Sequence, residues 1–337
     1  MKIRRNLRMA LGLTLLTLPA LSAHAETPLP RAEVPIREVD ISDGTRRYAV
    51  SLTVGSTTMD AGLDTGSTGL RILSWRLTPG DTGAPGGNTQ YHYGSGTQFE
   101  GPSATAKLTI GGVSGDAPVM LIRKIECSSE KPDCGAKKAD PAHFGIQGDA
   151  LPDQGFKAIL GLNMAPNEVA NPFVRMGIKR WIVELPRPGD PAPGKLILNP
   201  TDDDIAGFTL LHLVPGLTNR NGGLHDALPA CLINKTSHKQ ICGVGLMDSG
   251  APGLRVSASE PEPVWPNDTP GQLVFGDNGK AAQAMDFIVG RRDQASHLTT
   301  EMSNDFPVTR LYLGLMPYFA FDVLYDAEHD EIGLKPR

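Results

Sequence analysis

The chain has 337 residues, of which 40% are hydrophobic and 20% are charged, and its formal net charge is −5. This composition is typical of a globular protein, and it excludes a disordered chain. No basic cluster follows residue 25, which argues against nucleic acid as a partner. The 38 glycines and 28 prolines favour many short strands joined by tight turns, so we expect an all-β fold.

Residues 1–25 have the pattern of a signal peptide. A basic start precedes an apolar run over 9–21, and Ala23-His24-Ala25 supplies a small-x-small cleavage site. The run is shorter than the roughly 20 residues that span a bilayer, which disfavours a membrane anchor. We predict export to the periplasm or beyond the cell, with no stable membrane anchor after cleavage. Cleavage removes four positive charges, so the net charge becomes −9, from 28 basic and 37 acidic residues.

The first predicted strands lead directly to an aspartate. Residues 26–38 are polar and proline-rich, and they predict a surface arm or an outer strand. Residues 48–54 alternate apolar and polar side chains before a glycine, which is typical of a half-buried strand entering a turn. Residues 57–63 predict the return strand, which places Asp64 at its end.

The rest of the chain also favours strands. Residues 91–99 predict a hairpin with a glycine-bearing tip, and 171–178 is the best helix candidate. An acidic turn is predicted at 201–204, and we place a lobe boundary close to it. The other predicted strands are 105–110, 117–125, 181–185, 195–198, 273–275 and 284–289, and a closing hairpin is predicted over 318–334.

The four cysteines fall into two local pairs, Cys127 with Cys134 and Cys231 with Cys242. In an exported protein this spacing indicates two disulfides that close small loops. A zinc site is the alternative. It is disfavoured because neither pair has two-residue spacing and no histidine pair lies beside them.

Two stretches of the chain, 63–72 and 247–256, echo each other. Both contain an apolar residue, Asp, a hydroxyl residue, Gly, a small residue, any residue, Gly, Leu, Arg and a β-branched residue. Each is followed by an apolar-apolar-Gly run, at 158–162 and at 311–315. The pattern indicates an internal duplication that brings two aspartates to one site.

When two carboxyl groups lie about 3 Å apart, repulsion between the two negative charges disfavours ionisation of both, so the pair holds one proton over a wide pH range. The ionised member accepts a proton from water, and the protonated member donates to a carbonyl oxygen. Such a pair activates water against an amide without a metal or a covalent intermediate.

In this order and spacing, the motifs make the chain resemble the pepsin-like aspartic proteases over nearly all of its mature length. The features that carry the resemblance are the strand and turn over 48–55, Asp64-Thr65-Gly66-Ser67, the flap-like Tyr93-Gly94-Ser95-Gly96, the runs at 159–162 and 313–315, the Cys231/Cys242 pair before the second Asp motif, and the closing hairpin over 318–334.

The resemblance implies a bilobal fold with two pseudo-symmetric β-barrel lobes, 26–202 and 203–337, and a central cleft. It implies an exported aspartic endopeptidase, acting as a monomer on an extended peptide or protein substrate, with no cofactor and no metal. The residue roles that it implies are Asp64 and Asp248 as the catalytic pair, Tyr93 and Gly94 in the flap, and Thr65, Gly66, Ser67, Ser249 and Gly250 in support of the pair.

Two positions depart from the family pattern. Ala251 replaces the usual Ser or Thr, so Asp248 lacks the outer hydroxyl that Ser67 offers to Asp64. This loss disfavours ionisation and predicts an optimum less acidic than that of a gastric-type enzyme. Arg71 replaces the tryptophan that supports the flap tyrosine, a place that Trp75 could take instead. These departures favour an alternative, a catalytically weak or inactive pepsin-like protein that binds polypeptides or inhibits another enzyme.

The equivalent arginines of the two motifs, Arg71 and Arg255, have two open explanations. They are either surface-facing or they brace the loops by pairing with acids. The tryptophans at 75, 181 and 265 are expected to pack rather than to bind ligands.

Overall fold

The structure is a computed structural model that describes residues 29–138, 140–214, 217–219, 222–224, 227–260, 262–276, 281–303 and 308–337. The predicted signal peptide, 1–25, lies outside these residues. Within the described part of the chain, no helix has the length and apolar character needed to cross a membrane.

The described residues are mainly strands, so the predicted all-β class is confirmed. Those of the first half are β1 (Ala32–Asp40), β2 (Arg46–Val54), β3 (Thr57–Asp64), β4 (Thr68–Leu73), β5 (Asn88–His92), β6 (Thr97–Ile110), β7 (Val113–Ile122), β8 (Lys124–Cys127), β9 (Ala158–Leu162), β10 (Arg180–Glu184), β11 (Gly194–Leu198) and β12 (Thr209–His212).

The second half continues in the same way. Its strands are β13 (Leu217–Asn219), β14 (Gly222–Leu224), β15 (Ala227–Asn234), β16 (Gln240–Met247), β17 (Leu254–Ala258), β18 (Pro270–Phe275), β19 (Gln283–Ile288), β20 (Leu298–Met302), β21 (Arg310–Gly314), β22 (Phe321–Asp326) and β23 (Glu331–Pro336).

Most strands belong to two sheets. The larger has 14 strands in the order β12-β23-β22-β10-β11-β1-β2-β3-β9-β4-β7-β6-β5, with β8 paired to β6. The smaller has seven strands in the order β19-β18-β15-β16-β21-β17-β20, and β13 and β14 form a separate pair within the part of the chain that the structure describes. The predicted closing hairpin, β22 and β23, therefore joins the sheet that contains the N-terminal strands.

The N-terminal arm is an inner strand rather than a surface arm or an outer strand. β1 pairs with β11 over 32–36 and with β2 over 37–40, for example through Ala32 opposite Leu198 and Arg37 opposite Ala49, so it lies between these two strands in the order of the sheet. Val34 and Ile36 alternate with exposed residues and are buried, which explains why this proline-containing segment packs on the core.

The helices are single turns. The predicted helix at 171–178 is only α1 (Pro172–Arg175), which Asn171 caps through the backbone N–H groups of Phe173 and Val174, and Gly177 follows it at a φ of 87°. The predicted acidic turn forms α2 (Asp202–Ile205), where Thr201 and Asp204 make a capping box.

Both predicted disulfides are present, Cys127–Cys134 and Cys231–Cys242. The second joins directly opposite residues of β15 and β16. Together they fit a protein that matures in an oxidising compartment.

The two halves build their aspartate loops in the same way. β3 runs parallel to β9, and β16 runs parallel to β21, so each aspartate follows a strand paired with an apolar-Gly run. β4 and β17, which follow the loops, are antiparallel to the same two strands. The two similar stretches of sequence, 63–72 and 247–256, therefore also have the same strand pairing.

The glycines of these runs are needed because backbone approaches them closely. A Cβ on Gly161 would lie 2.7 Å from the carbonyl oxygens of Ser67 and Gly69, and one on Gly314 would lie 2.4 Å from the Gly253 carbonyl oxygen. Each aspartate loop thus packs directly on the run beneath it.

Candidate active site

The two aspartate loops meet face to face. Asp64 ends β3, and Asp248 follows β16 directly. A Cβ added to Gly66 would lie 2.3 Å from Cγ of Asp248, and one added to Gly250 would lie 2.7 Å from Cγ of Asp64. Each carboxyl group therefore rests against the glycine of the opposite loop, and only glycine leaves room for it.

Reciprocal hydrogen bonds lock the loops together, as the resemblance implies. The backbone N–H of Thr65 donates to Oγ of Ser249 at 3.1 Å, and the N–H of Ser249 donates to Oγ1 of Thr65 at 3.0 Å. The same hydroxyls donate to the carbonyl oxygens of Met247, at 3.2 Å, and Leu63, at 2.9 Å. Both hydroxyl residues are buried, so each bond is shielded from water.

The two carboxyl groups have unequal surroundings. Oδ1 of Asp64 accepts from the N–H groups of Gly66 (2.9 Å) and Ser67 (3.1 Å), and Oδ2 accepts from the Ser67 hydroxyl (2.8 Å). Asp248 accepts from the N–H of Gly250 at 2.9 Å. The hydroxyl that Ser67 gives to Asp64 has no counterpart at Ala251. The donors around Asp64 favour negative charge there.

Burial is the main influence on the second carboxyl group. It raises the pKa of Asp248 well above its usual range, and the charge and hydrogen bonding of the adjacent Asp64 raise that pKa further. The N–H of Gly250 and the charge of Arg255 oppose the shift. The pair therefore holds one proton to a higher pH than a lone aspartate, with Asp248 the better proton carrier.

A hairpin that we call the flap, formed by β5, the turn at 93–96 and β6, reaches this pair. Gly96 N–H donates to the Tyr93 carbonyl oxygen at 2.8 Å and closes the turn. The Tyr93 ring packs edge-on against Tyr91 and Phe99. Its hydroxyl is buried without a hydrogen bond of ordinary geometry to any described residue. Burial raises the pKa of that hydroxyl, and the charge of Arg71 opposes the shift.

Arg71 supports the flap, and it is neither surface-facing nor paired with an acid among the described residues. It is fully buried, and its guanidinium carbon lies 3.3 Å from the ring centroid of Tyr91. It donates to the carbonyl oxygens of Thr68 at 2.6 Å and Gly69 at 3.2 Å. The arginine thus fastens the flap to the Asp64 loop.

Trp75 does not take the place of the missing tryptophan, and it is not a packing residue. Its exposed fraction is 43%, and it lines a surface groove with Arg37, Arg76 and Phe156. Trp181 and Trp265 are buried, as expected.

We expect Arg71→Met to lower the free energy of unfolding by about 1–3 kcal/mol, because two buried carbonyl oxygens lose their donor. The flap should loosen at the same time, so amide hydrogen exchange over 88–97 should become faster. Urea unfolding and hydrogen-exchange mass spectrometry measure the two effects. Arg76→Met is the matched control, since Arg76 is exposed. Equal losses in the two variants would show that Arg71 has no special structural role.

Arg255 pairs with an acidic side chain, which was one of the two explanations left open for the equivalent arginines. Its Nη1 lies 3.1 Å from Oε1 of Glu301, and its guanidinium carbon lies 3.9 Å from the ring centroid of Tyr312. A Cβ on Gly94 would lie 3.2 Å from Nη2 of Arg255. The tip of the flap therefore touches the second half of the chain across the aspartate pair.

Three supporting residues escaped the sequence analysis. Arg47 is buried and donates to the carbonyl oxygen of Gly250 at 2.9 Å and to that of Gln147 at 3.1 Å. Tyr318 lies with its hydroxyl 2.6 Å from Oγ1 of Thr65. Gln147 and Tyr318 sit in no recognisable pattern with the Asp motifs, and the only signal for Arg47 is a basic residue at the start of an apolar strand.

Gln147 lies directly beside the pair. A Cβ on Gly250 would lie 2.9 Å from Nε2 of Gln147, and one on Gly62 would lie 2.3 Å from Oε1. The Oε1 atom is buried and accepts no hydrogen bond from a described residue. Two glycines therefore give this side chain access to the site.

Comparison with protein-family models and with curated proteins found no match to this chain. The chemical reading of the site therefore depends on its geometry. Two adjacent carboxyl groups that share a proton, beside a hairpin turn, provide an acid and a base at one point.

Proposed function

We propose that the chain is an aspartic endopeptidase of the pepsin-like type, with lobes 26–202 and 203–337 and a cleft between them. The observation that carries the proposal is the reciprocal packing of the two aspartate loops, with each carboxyl group against the opposite glycine. An Asp-Thr-Gly sequence that only forms a turn does not need a second aspartate loop packed against it. Here the buried hydroxyls of Thr65 and Ser249 join the two loops and hold the two carboxyl groups in a fixed arrangement.

The hydrolysis divides the work between the two aspartates. Asp64, which has three donors to its carboxylate, accepts a proton from a water molecule as that water attacks the peptide carbonyl carbon. Asp248, with its raised pKa, donates its proton to the carbonyl oxygen. As the C–N bond breaks, Asp64 gives the proton that it took from water to the leaving nitrogen. One hydroxyl of the tetrahedral intermediate gives its proton to Asp248 and becomes the carbonyl of the new carboxyl group, so the pair returns to its singly protonated form.

An extended polypeptide fits the surface around the pair. β5 is the last strand in the order of the larger sheet, so one of its edges is available for backbone pairing with a substrate strand. Tyr93 and Gly94 would close over that strand. The buried Oε1 of Gln147 offers an acceptor to a substrate N–H or hydroxyl next to the scissile bond.

Export to the periplasm or beyond is the location that we propose. The two disulfides fit an oxidising compartment. They agree with the signal-peptide pattern in the sequence.

The pH profile should extend toward neutrality. Activity needs the singly protonated pair, and it ends where Asp248 loses its proton, so a raised pKa moves the alkaline limb to higher pH. Ala251→Ser adds a hydroxyl donor to ionised Asp248 and should lower that pKa. The alkaline limb should then move down by about 1–2 pH units, since a hydrogen bond to a charged group is worth about 1.5–3 kcal/mol and about 1.4 kcal/mol corresponds to one pKa unit. Profiles of kcat/KM between pH 3 and 9 measure the shift.

Ser67→Ala is the matched opposite change. It removes a hydroxyl donor from Asp64 rather than adding one to Asp248, so the alkaline limb should stay close to its place. A profile that peaks below about pH 3 in the wild type, or identical profiles in all three proteins, would contradict the unequal roles.

The direct test of function is cleavage of a broad peptide library at pH 3–8, with and without pepstatin. We expect cleavage that pepstatin blocks. The missing hydroxyl at Ala251 favours one other function, a pepsin-like protein that binds polypeptides or inhibits another enzyme without cutting. Peptide binding without cleavage across that pH range would support it and overturn the endopeptidase.

A further inference from the structure

Four metal-ligating side chains meet at the outer edge of the larger sheet. Three are on neighbouring strands, because Asp326 of β22 lies opposite Glu331 of β23, and Glu331 lies opposite His212 of β12. The fourth, His329, belongs to the turn between β22 and β23. Directly paired residues on adjacent strands place their side chains on one face, about 5 Å apart.

The contacts between these side chains are short. Nδ1 of His329 lies 2.8 Å from Oδ2 of Asp326, and Nδ1 of His212 lies 3.1 Å from Oε1 of Glu331. Asp326, His329 and Glu331 each offer one ligand atom, and these three atoms all lie within 4.8 Å of one another. His212 is outside this group of three and contacts Glu331, so its imidazole has to turn to reach an ion bound by the other three side chains.

The two carboxylates concentrate negative charge at this edge of the sheet. Arg180 of β10, opposite Asp326 in the strand register, and the N–H groups of Glu328 and His329, 3.0 and 3.2 Å from Oδ1 of Asp326, offset part of it. The two carboxylates lie directly opposite each other on paired strands, an arrangement in which like charges destabilise a sheet. Their side chains are only 6% (Asp326) and 14% (Glu331) exposed, so water screens the repulsion weakly. The two histidines flank the pair and are 59% and 79% exposed, which leaves them free to turn.

The donor set selects the kind of ion. Calcium and magnesium prefer oxygen ligands alone. Two imidazole nitrogens with two carboxylate oxygens suit zinc, which accepts four such ligands in a tetrahedron.

We propose that His212, Asp326, His329 and Glu331 form a zinc-binding site. The bound ion would join β12 to the β22–β23 hairpin and so fix the outer edge of the larger sheet. The ion has no part in the proposed hydrolysis, whose aspartates belong to the loops after β3 and β16.

The test is calorimetric titration of zinc into the full mature chain, freed of metal and without a histidine tag, together with thermal unfolding. We expect one zinc per chain and a rise in Tm on binding. The double variant His212→Ala/His329→Ala should bind zinc at least about 100-fold more weakly and lose the rise in Tm. Glu331→Gln keeps the side-chain shape and should weaken binding even if the histidine variants fold poorly.

A matched control uses histidines elsewhere. His92→Ala/His143→Ala removes two exposed histidines, one of which also pairs with a carboxylate, Asp153, and it should bind zinc as the wild type does. Unchanged binding in the His212/His329 variant would overturn the site. Equal binding of magnesium or calcium would also overturn it, because that result would indicate a general attraction of acidic side chains for cations.

Discussion

Asp64→Asn is expected to reduce peptide cleavage by about 10³- to 10⁴-fold while leaving the fold intact, because the pair loses its general base. The change should be well tolerated structurally. The amide oxygen can accept the N–H groups of Gly66 and Ser67, and the amide nitrogen can donate to the Ser67 hydroxyl oxygen in the place of the present bond. Steady-state kinetics and the free energy of unfolding, measured on the same samples, separate the two effects.

The matched control is Asp60→Asn on the same strand. Asp60 is exposed, and its ion pair among the described residues is with Arg37, at 2.6 Å, so this variant should cut at the wild-type rate. Asp248→Asn should be as inactive as Asp64→Asn, since the two act as a unit. Full activity in either aspartate variant would end the proposed mechanism. It would leave the proposed zinc site standing, because none of its four ligands is changed.

The sequence predicted the centre of the site better than its surroundings. The aspartates could be found because they belong to a local pattern that occurs twice, whereas the cross-linking hydroxyls and the Tyr-Gly of the flap followed from the resemblance to a known family. The strands leading to the aspartates could also be predicted from a local pattern, since period-two alternation is a property of neighbouring residues. Both disulfides followed from the cysteine spacing together with the expected export of the protein.

The parts that were missed depend on contacts between distant segments. Arg47 reaches Gly250 across 203 residues of sequence, and no local signal reports such a contact. β1 was expected outside because it is polar and contains proline, yet Val34 and Ile36 fill the core and β11 supplies a second partner. Arg71 resembled a surface or ion-pairing residue, and tertiary packing against Tyr91 gave it another role.

Gly66→Ala should reduce the rate of peptide cleavage by about 100-fold, because the added methyl group would push the carboxyl group of Asp248 out of its position. The added Cβ would lie 2.3 Å from Cγ and 2.5 Å from each carboxylate oxygen of Asp248, which is far inside van der Waals contact. Asp248 must therefore move, and a displacement of about 1 Å at a reacting group typically costs about 10²-fold in rate. The raised pKa of Asp248 should fall as well, since separation weakens the influence of Asp64.

Gly87→Ala is the control that isolates this contact. Gly87, like Gly66, has an ordinary backbone angle, and its added Cβ meets nothing within 4 Å, so both variants carry the same loss of chain flexibility. Gly250→Ala should be intermediate, because its Cβ would lie 2.7 Å from Cγ of Asp64 and 2.9 Å from Nε2 of Gln147, and the long glutamine side chain can yield. Rates in the order Gly87→Ala, Gly250→Ala, Gly66→Ala, from fastest to slowest, would tie activity to the spacing of the carboxyl groups. A Gly66→Ala enzyme as fast as the Gly87→Ala control would show that the spacing does not matter, and that the two aspartates do not act as a pair.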